Sequence, residues 1–237
     1  MSDTRPSPPA GLVRLGYPSS VRTAHEVVAA SGFPPDGVRL APYDLNDPFA
    51  ALRGGELDVL IVKFEPREAD LAVGGILGLE ARAAVLAATH PLAERTSLSI
   101  EELADHDGFA CPGSFPGYLW DMIVPPRTPG GRVFHRRHHA ASIAEMMGVL
   151  LSHDAVHISV ASLADMAPPA VRVIRIHDLP PTPVRLAWRK DIGVPDRVAA
   201  FVRAVEAGRR GAPGGAVTVG AGAAGPLHGA RGPDLGA

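Results

Sequence analysis

The sequence predicts a two-lobed α/β fold, and three observations support this prediction. Strand and helix patterns occur in the order β-α-β-α-β over the first 65 residues, which is typical of a parallel sheet covered by helices. A second unit with strands and helices of its own begins near Ala84. An amphipathic helix then follows from Pro195 to Val205, with apolar residues at helical spacing.

The first unit contains three predicted strands. Residues 12–17 form the first, and the helix that follows ends at Gly32, a residue typical of helix C-termini. Residues 38–43 form the second strand. Residues 57–62 are a continuous apolar run between turn signals, which predicts a strand buried on both faces.

Two capping-box patterns mark helix starts in the second unit. Ser99 stands three residues before Glu102, and Ser142 stands three residues before Glu145; in such a box the serine and the glutamate each bind a backbone N–H of the other residue. The strands of this unit are predicted at 109–111, 156–160 and 171–176, and a further strand follows at 184–188.

The composition is typical of a globular protein. The 237 residues are 46% hydrophobic and 20% charged, and the formal net charge is −2. The sequence has only short basic clusters and no run of 18 apolar residues. We therefore expect no direct DNA binding and no membrane span.

The cysteine count and the two ends of the sequence indicate the cell compartment, the disordered segments and the absence of a cofactor site. The single Cys111 excludes an internal disulfide, and residues 1–10 do not resemble a secretory signal, so we expect a cytoplasmic protein. Of the last 27 residues, 19 are Gly, Ala or Pro, and we predict disorder at 1–11 and 210–237. Gly220 to Gly225 has the spacing of a dinucleotide-binding loop, but Pro226 follows at once, so we expect no cofactor.

Four stretches match one known family in content and in order. They are the opening strand ending at Pro18-Ser19-Ser20, the segment 52–62 with Gly55-Glu56-Leu57-Asp58, the segment 90–104 with His90-Pro91-Leu92-Ala93, and residues 186–191 before the last helix. Over about residues 12–207, the chain thereby resembles the effector-binding domain of LysR-type transcriptional regulators.

The resemblance implies a type 2 periplasmic-binding-protein fold, in which two α/β lobes enclose a ligand cleft. Lobe I would hold residues 12–86 and 180–209, and lobe II residues 87–179. It also implies a small effector, often carboxylated or aromatic, and pairing as a homodimer or with a full-length regulator. Because only 11 residues precede the first strand, we do not expect the family's DNA-binding headpiece, so a regulatory role would need a partner chain.

Residues at the ends of the predicted strands are the first candidates for ligand binding. Ser19 and Ser20 precede a helix, where backbone N–H groups and a hydroxyl favour a carboxylate; a plain helix cap is the alternative. Lys63, with Phe64 beside it, follows the buried strand at the edge where ligands of parallel sheets gather. A solvated charge is the alternative for Lys63.

Four further polar residues are candidates for the cleft. Asp44 and Asn46 follow the second strand, although loop and cap chemistry also explains them. Ser114 lies in a loop of the second unit. Ser142 stands at a helix N-terminus, and its capping box explains it without a ligand.

The histidine-rich segment 135–139 is the most conspicuous cluster of titratable residues. In a strand, His135 and His139 share one face and His138 lies on the other. No acidic or cysteine ligand is adjacent, so we favour a solvated basic edge, with metal or anion binding as the alternative, and we assign no metal ligands.

Two functional hypotheses compete. The leading one is a small-molecule-binding module with a role in the regulation of transcription. The alternative is an enzyme of secondary metabolism, an isomerase, dehydratase or cyclase built on the same fold. Its candidate catalytic residues are His135, His139, His153 and Asp154, although residue types of a triad that are adjacent in sequence do not make a triad in space.

Overall fold

A computed structural model of the chain describes residues 11–210. The segments predicted to be disordered, 1–11 and 210–237, lie outside the described residues apart from residues 11 and 210. Gly220 to Gly225 lies outside them as well.

The described residues form eleven β-strands. In chain order these are β1 (Val13–Tyr17), β2 (Val38–Pro42), β3 (Val59–Val62), β4 (Leu71–Val73), β5 (Gly78–Glu80), β6 (Arg82–Ala87), β7 (Gly108–Phe109), β8 (Arg136–His138), β9 (His157–Val160), β10 (Val171–Arg175) and β11 (Thr182–Arg189).

Six α-helices and two short 3-10 helices connect these strands. The α-helices are α1 (Val21–Ser31), α2 (Ala50–Arg53), α3 (Ile100–Leu103), α4 (Gly117–Ile123), α5 (Ile143–Ser152) and α6 (Asp196–Arg210). The 3-10 helices are Pro35–Gly37 and Ala161–Asp165. Within residues 11–210, none of the helices combines the length and the apolar character that crossing a bilayer requires.

A six-stranded mixed sheet forms the first lobe. Its order is β2-β1-β3-β11-β4, with β5 also pairing to β11. Strand β1 is parallel to β2 and β3, as the β-α-β-α-β pattern predicts, whereas β11 runs antiparallel to β3, β4 and β5.

Strand β3 is buried on both faces, which confirms the prediction from its continuous apolar run. Val59 and Ile61 pack with residues of α1 and α6 on one face of the sheet. Leu60 and Val62 pack on the other face with residues from α2 and α4. All four side chains are buried because helices cover both faces, as in other sheets built from parallel strands.

A three-stranded antiparallel sheet, in the order β10-β6-β9, forms the centre of the second lobe. A small parallel pair, β7 with β8, lies beside it. The chain passes from the first sheet to the second between Glu80 and Arg82 and returns between Arg175 and Thr182. Strand β6, which the sequence-based division cuts at residue 86, therefore pairs entirely within the second sheet.

The predicted capping boxes have different outcomes. At α3 the box is complete, because Ser99 and Glu102 each bind a backbone N–H of the other residue. At α5 the Ser142 hydroxyl accepts from the Glu145 N–H at 3.1 Å, but the Glu145 carboxylate accepts from Ala141 rather than from Ser142. The strand predicted at 109–111 is also shorter and earlier, as β7 covers only 108–109.

Candidate functional site

A cavity of about 410 Å³ lies between the two lobes, a size typical of sites for small organic ligands. Residues after β1, β2 and β3 line it from the first lobe, and residues around β7, α4, α5 and β9 line it from the second. Six aromatic side chains dominate its wall: Tyr43, Phe49, Phe64, Phe109, Phe115 and Trp120.

The polar ends of two of these aromatic residues are bound to the backbone. The Tyr43 hydroxyl donates to the carbonyl of Ile61 at 2.9 Å, and burial raises the pKa of Tyr43. The Trp120 indole N–H donates to the carbonyl of Phe109 at 3.2 Å. These bonds fix the two rings and satisfy their polar atoms, so both residues contribute mainly apolar surface to the wall.

His157 is a neutral polar group in this aromatic wall. Its ring stacks on Trp120 with centroids 5.9 Å apart and meets Phe109 edge-on at 5.5 Å. Burial, with a smaller contribution from nearby Arg82, lowers the pKa of His157 to about 4. Its Nδ1 atom is buried without a hydrogen-bond partner in the described part of the chain.

The depressed pKa of His157 predicts a loss of stability in mild acid. An unfolded histidine has a pKa of about 6.5, so the unfolded state takes up a proton as the pH falls from 6.5 towards 4 while the folded state does not. Between pH 7 and pH 4 this linkage is expected to cost about 3 kcal/mol of the free energy of unfolding.

Urea unfolding at several pH values measures this effect. His157→Gln, which keeps a neutral polar side chain that does not titrate, is the matched variant. We expect a shallower dependence on pH in the variant over this window. Equal slopes for the two proteins would contradict the assignment of the acid sensitivity to His157.

Lys63 lies in the cavity wall, but its charge is already paired. Its side chain is 5% exposed, and its Nζ lies 3.0 Å from Oε2 of Glu80, which is fully buried. Lys63 also donates to the hydroxyl of Ser162, whose backbone N–H donates to the other Glu80 oxygen at 2.8 Å. The solvated lysine considered as an alternative is therefore not what the structure shows.

The N-terminus of α1 is also occupied. The buried hydroxyl of Ser20 donates to the Asp165 carboxylate, and Arg22 forms an ion pair with the same oxygen at 3.1 Å. Ser20 is the N-cap residue of α1, yet its side chain makes no capping bond. Ser19 lines the cavity and has a φ of 54°. The position where the sequence suggests a ligand carboxylate thus holds a carboxylate of the chain itself.

The other candidate ligand-binding residues lie at different places. Asp44, Asn46, Phe64 and Ser142 line the cavity, whereas Ser114 is exposed and lies outside its lining. Asn46 connects the two lobes, because its side-chain N–H donates to the carbonyl of Ala141 in the second lobe. Within its own loop, its backbone and side-chain N–H groups donate to Asp44.

The candidate catalytic residues lie away from this cavity. His135 and His139 flank β8 and are exposed, while His138 at the end of β8 is half-buried. His153 and Asp154 are exposed at the end of α5 and line a separate cavity. None of these four candidates, His135, His139, His153 and Asp154, contributes to the interlobe lining.

Local sequence patterns do not identify His157, Asp165 or most of the aromatic wall as parts of the site. A predicted strand included His157, and its alternation of apolar and polar residues is the one signal that places this side chain on a defined face. Asp165 contacts Ser20 from 145 positions away, which no local pattern reveals.

Comparison with known proteins identifies the family. The family model described as the LysR substrate binding domain matches residues 7–210. The chain therefore belongs to the LysR substrate-binding domain family, whose members are parts of transcriptional regulators. No curated protein matches the chain.

Solved structures with the same fold include three informative examples. Full-length CbnR in complex with its target DNA has a TM-score of 0.65 at 18% identity, with 84% of this chain and 71% of CbnR covered. The effector-binding domain of QuiR with shikimate has a TM-score of 0.63 at 18% identity, and the match covers 85% of this chain and 98% of the QuiR chain. An OxyR mutant from Corynebacterium glutamicum has a TM-score of 0.62 at 17% identity, and the match covers 86% of this chain and 65% of the OxyR chain. These likenesses confirm the predicted type 2 periplasmic-binding-protein fold.

Proposed function

We propose that this chain binds a small, uncharged aromatic molecule in the interlobe cavity and thereby serves as the sensing part of a transcriptional regulator. The observation that carries the proposal is the pairing of Lys63, the one lysine or arginine among the described residues of the lining, with the buried Glu80. The membership of the chain in its family supports the regulatory role.

The charges around the cavity disfavour an anionic ligand. Asp44 is the other formally charged residue of the described lining, and its sign repels anions. His157 is neutral at pH 7 because burial lowers its pKa to about 4. A ligand carboxylate buried here would lose its hydration without gaining a free cation, which is unfavourable.

The N-terminus of α1 gives a second reason to expect a ligand without a negative charge. A helix N-terminus favours an anion, but Asp165 already binds Ser20 and Arg22 there. An incoming carboxylate would have to displace Asp165 and leave it without these partners. A carboxylate effector, which the family resemblance leaves open, therefore receives no support at this end of the cavity.

The wall suits an aromatic ring that carries uncharged polar groups. Six aromatic side chains supply apolar and stacking surface. Ser159, Ser142 and Asn46 in the lining offer hydrogen bonds without net charge, and Nδ1 of His157 is a buried polar atom without a partner among residues 11–210. The structure of the QuiR effector-binding domain contains shikimate, a non-aromatic carboxylate, so it is a precedent for a small organic ligand on this fold but not for the uncharged aromatic class.

Ligand capture with matched compounds tests this proposal. Purified protein is incubated with one-ring and two-ring aromatic compounds in pairs, each an alcohol or methyl ester with the corresponding carboxylate. Native mass spectrometry then measures occupancy, and chromatography identifies the released compound. We expect one neutral molecule per chain, released unchanged. Preferential retention of the carboxylates would contradict the ligand class, and release of a converted compound would contradict a pure sensor.

The proposed role includes pairing with another protein chain. We infer that the module pairs with a second copy or with a full-length regulator, an inference that rests on the family resemblance. Size-exclusion chromatography with light scattering, with and without the captured ligand, measures the self-association.

A further inference from the structure

A second group of titratable side chains lies at the end of α5, apart from the interlobe cavity. His90 follows β6, His106 follows α3, and Asp154 follows α5, so three separate loops meet at this point. Nε2 of His90 lies 2.7 Å from one oxygen of Asp154, and Nδ1 of His106 lies 3.2 Å from the other. One ligand atom from each residue falls within 4.8 Å of the others.

We propose that His90, His106 and Asp154 bind a divalent transition-metal ion of the zinc class. Two imidazole nitrogens with one carboxylate are a ligand set that such ions favour, whereas magnesium and calcium prefer oxygen ligands alone. Three protein ligands leave at least one position for water, as in open zinc sites.

The buried Nε2 of His90 makes no hydrogen bond among the described residues. The His90 side chain is 1% exposed, and its Nε2 is a buried nitrogen with no hydrogen bond among the described residues, despite the short distance to Asp154. The ring N–H direction is therefore not aligned with the carboxylate oxygen. An ion that replaces the proton on Nε2 would therefore break no hydrogen bond at this nitrogen.

The hydrogen bond at Nδ1, the other ring nitrogen of His90, lowers the affinity that we expect for the metal ion. Nδ1 accepts the backbone N–H of Leu92 at 3.1 Å, so the metal-free ring carries its proton on Nε2. A metal at Nε2 requires the other tautomer, and the Leu92 bond is then lost. Since a neutral hydrogen bond is worth about a three- to tenfold change in an equilibrium constant, we expect an exchangeable site, weaker than a four-ligand structural one.

The site is open to solvent. The Asp154 side chain is 66% exposed, and a cavity of about 300 Å³ beside it is lined by His90, Asp154, Thr89 and His153. An ion can enter from this cavity without unfolding the lobe, and water can fill its remaining positions.

Calorimetric titration of the tag-free chain with zinc chloride tests the proposal. We expect one zinc ion per chain, and no detectable binding of magnesium at the same concentration. Asp154→Asn keeps the size of the exposed side chain but removes its charge, and it should weaken zinc binding at least tenfold, as should His106→Ala. The double variant His135→Ala with His139→Ala removes two exposed histidines elsewhere and should change the affinity less than twofold.

Three results would overturn the site. They are the absence of one-to-one zinc binding, an equal affinity for magnesium, and a loss in the control double variant as large as in Asp154→Asn. Because Asp154 is exposed, its substitution leaves the core intact, so the test does not depend on whether a variant of the buried His90 folds.

Discussion

Glu80→Ala is expected to lower the free energy of unfolding by about 3–5 kcal/mol, because it leaves the buried Lys63 ammonium without its counter-charge. Both side chains are almost inaccessible, with 5% of Lys63 and none of Glu80 exposed. The variant also removes the acceptor of the Ser162 backbone N–H. Chemical denaturation at pH 7 measures the change.

A double variant separates the charge from the packing. Lys63→Met combined with Glu80→Leu replaces the ion pair by apolar side chains, and such exchanges are often neutral or stabilising by about 1–4 kcal/mol relative to the ion pair. We expect the double variant to recover most of the stability that Glu80→Ala loses. A loss below about 1 kcal/mol for Glu80→Ala would mean that Lys63 reaches solvent or another anion, contrary to the observed pairing.

Ala140→Trp is expected to weaken binding of the captured ligand at least about 100-fold, equivalent to about 2.7 kcal/mol. Ala140 is half-buried and lines the interlobe cavity, so a large ring at this position occupies space that the ligand needs. Isothermal titration with the compound found by ligand capture measures the affinity.

Ala144→Trp is the matched control for this substitution. Ala144 is exposed in the first turn of α5 and lies outside the cavity lining. We expect the same affinity as the unmodified chain within about twofold, since a surface change away from the site has a small effect. Similar losses in both variants would place the ligand elsewhere or indicate a general effect of the added ring.

The sequence predicts the sheet well because local patterns carry the relevant physics. The continuous apolar run of β3 reflects burial on both faces, and the capping box at Ser99 reflects backbone groups within three residues of each other. The β-α-β-α-β pattern predicts the parallel direction of β1, β2 and β3, but not their order in the sheet. The family resemblance adds the two-lobed arrangement.

The site could be predicted only in part because its electrostatics depend on distant residues. The position of Lys63 at the end of β3 places it in the cavity wall, but Ser162, 99 positions away, and Glu80 determine that its charge is not free. In the same way, the distant Asp165 carboxylate determines that the N-terminus of α1 is already occupied. Charge pairing of this kind is a tertiary property, and it changes the inferred ligand class from carboxylate or aromatic to uncharged aromatic.

The fluorescence of Trp120 provides the most direct test of the central claim. The chain has two tryptophans, and Trp188→Phe on β11 leaves Trp120, on the cavity wall, as the one reporter. Titration with a neutral aromatic compound and with its matched carboxylate should give a saturable change for the neutral compound and at least tenfold weaker binding of the carboxylate. Tighter binding of the carboxylate, or ligand binding that leaves the Trp120 emission unchanged, would contradict an uncharged aromatic ligand in the interlobe cavity.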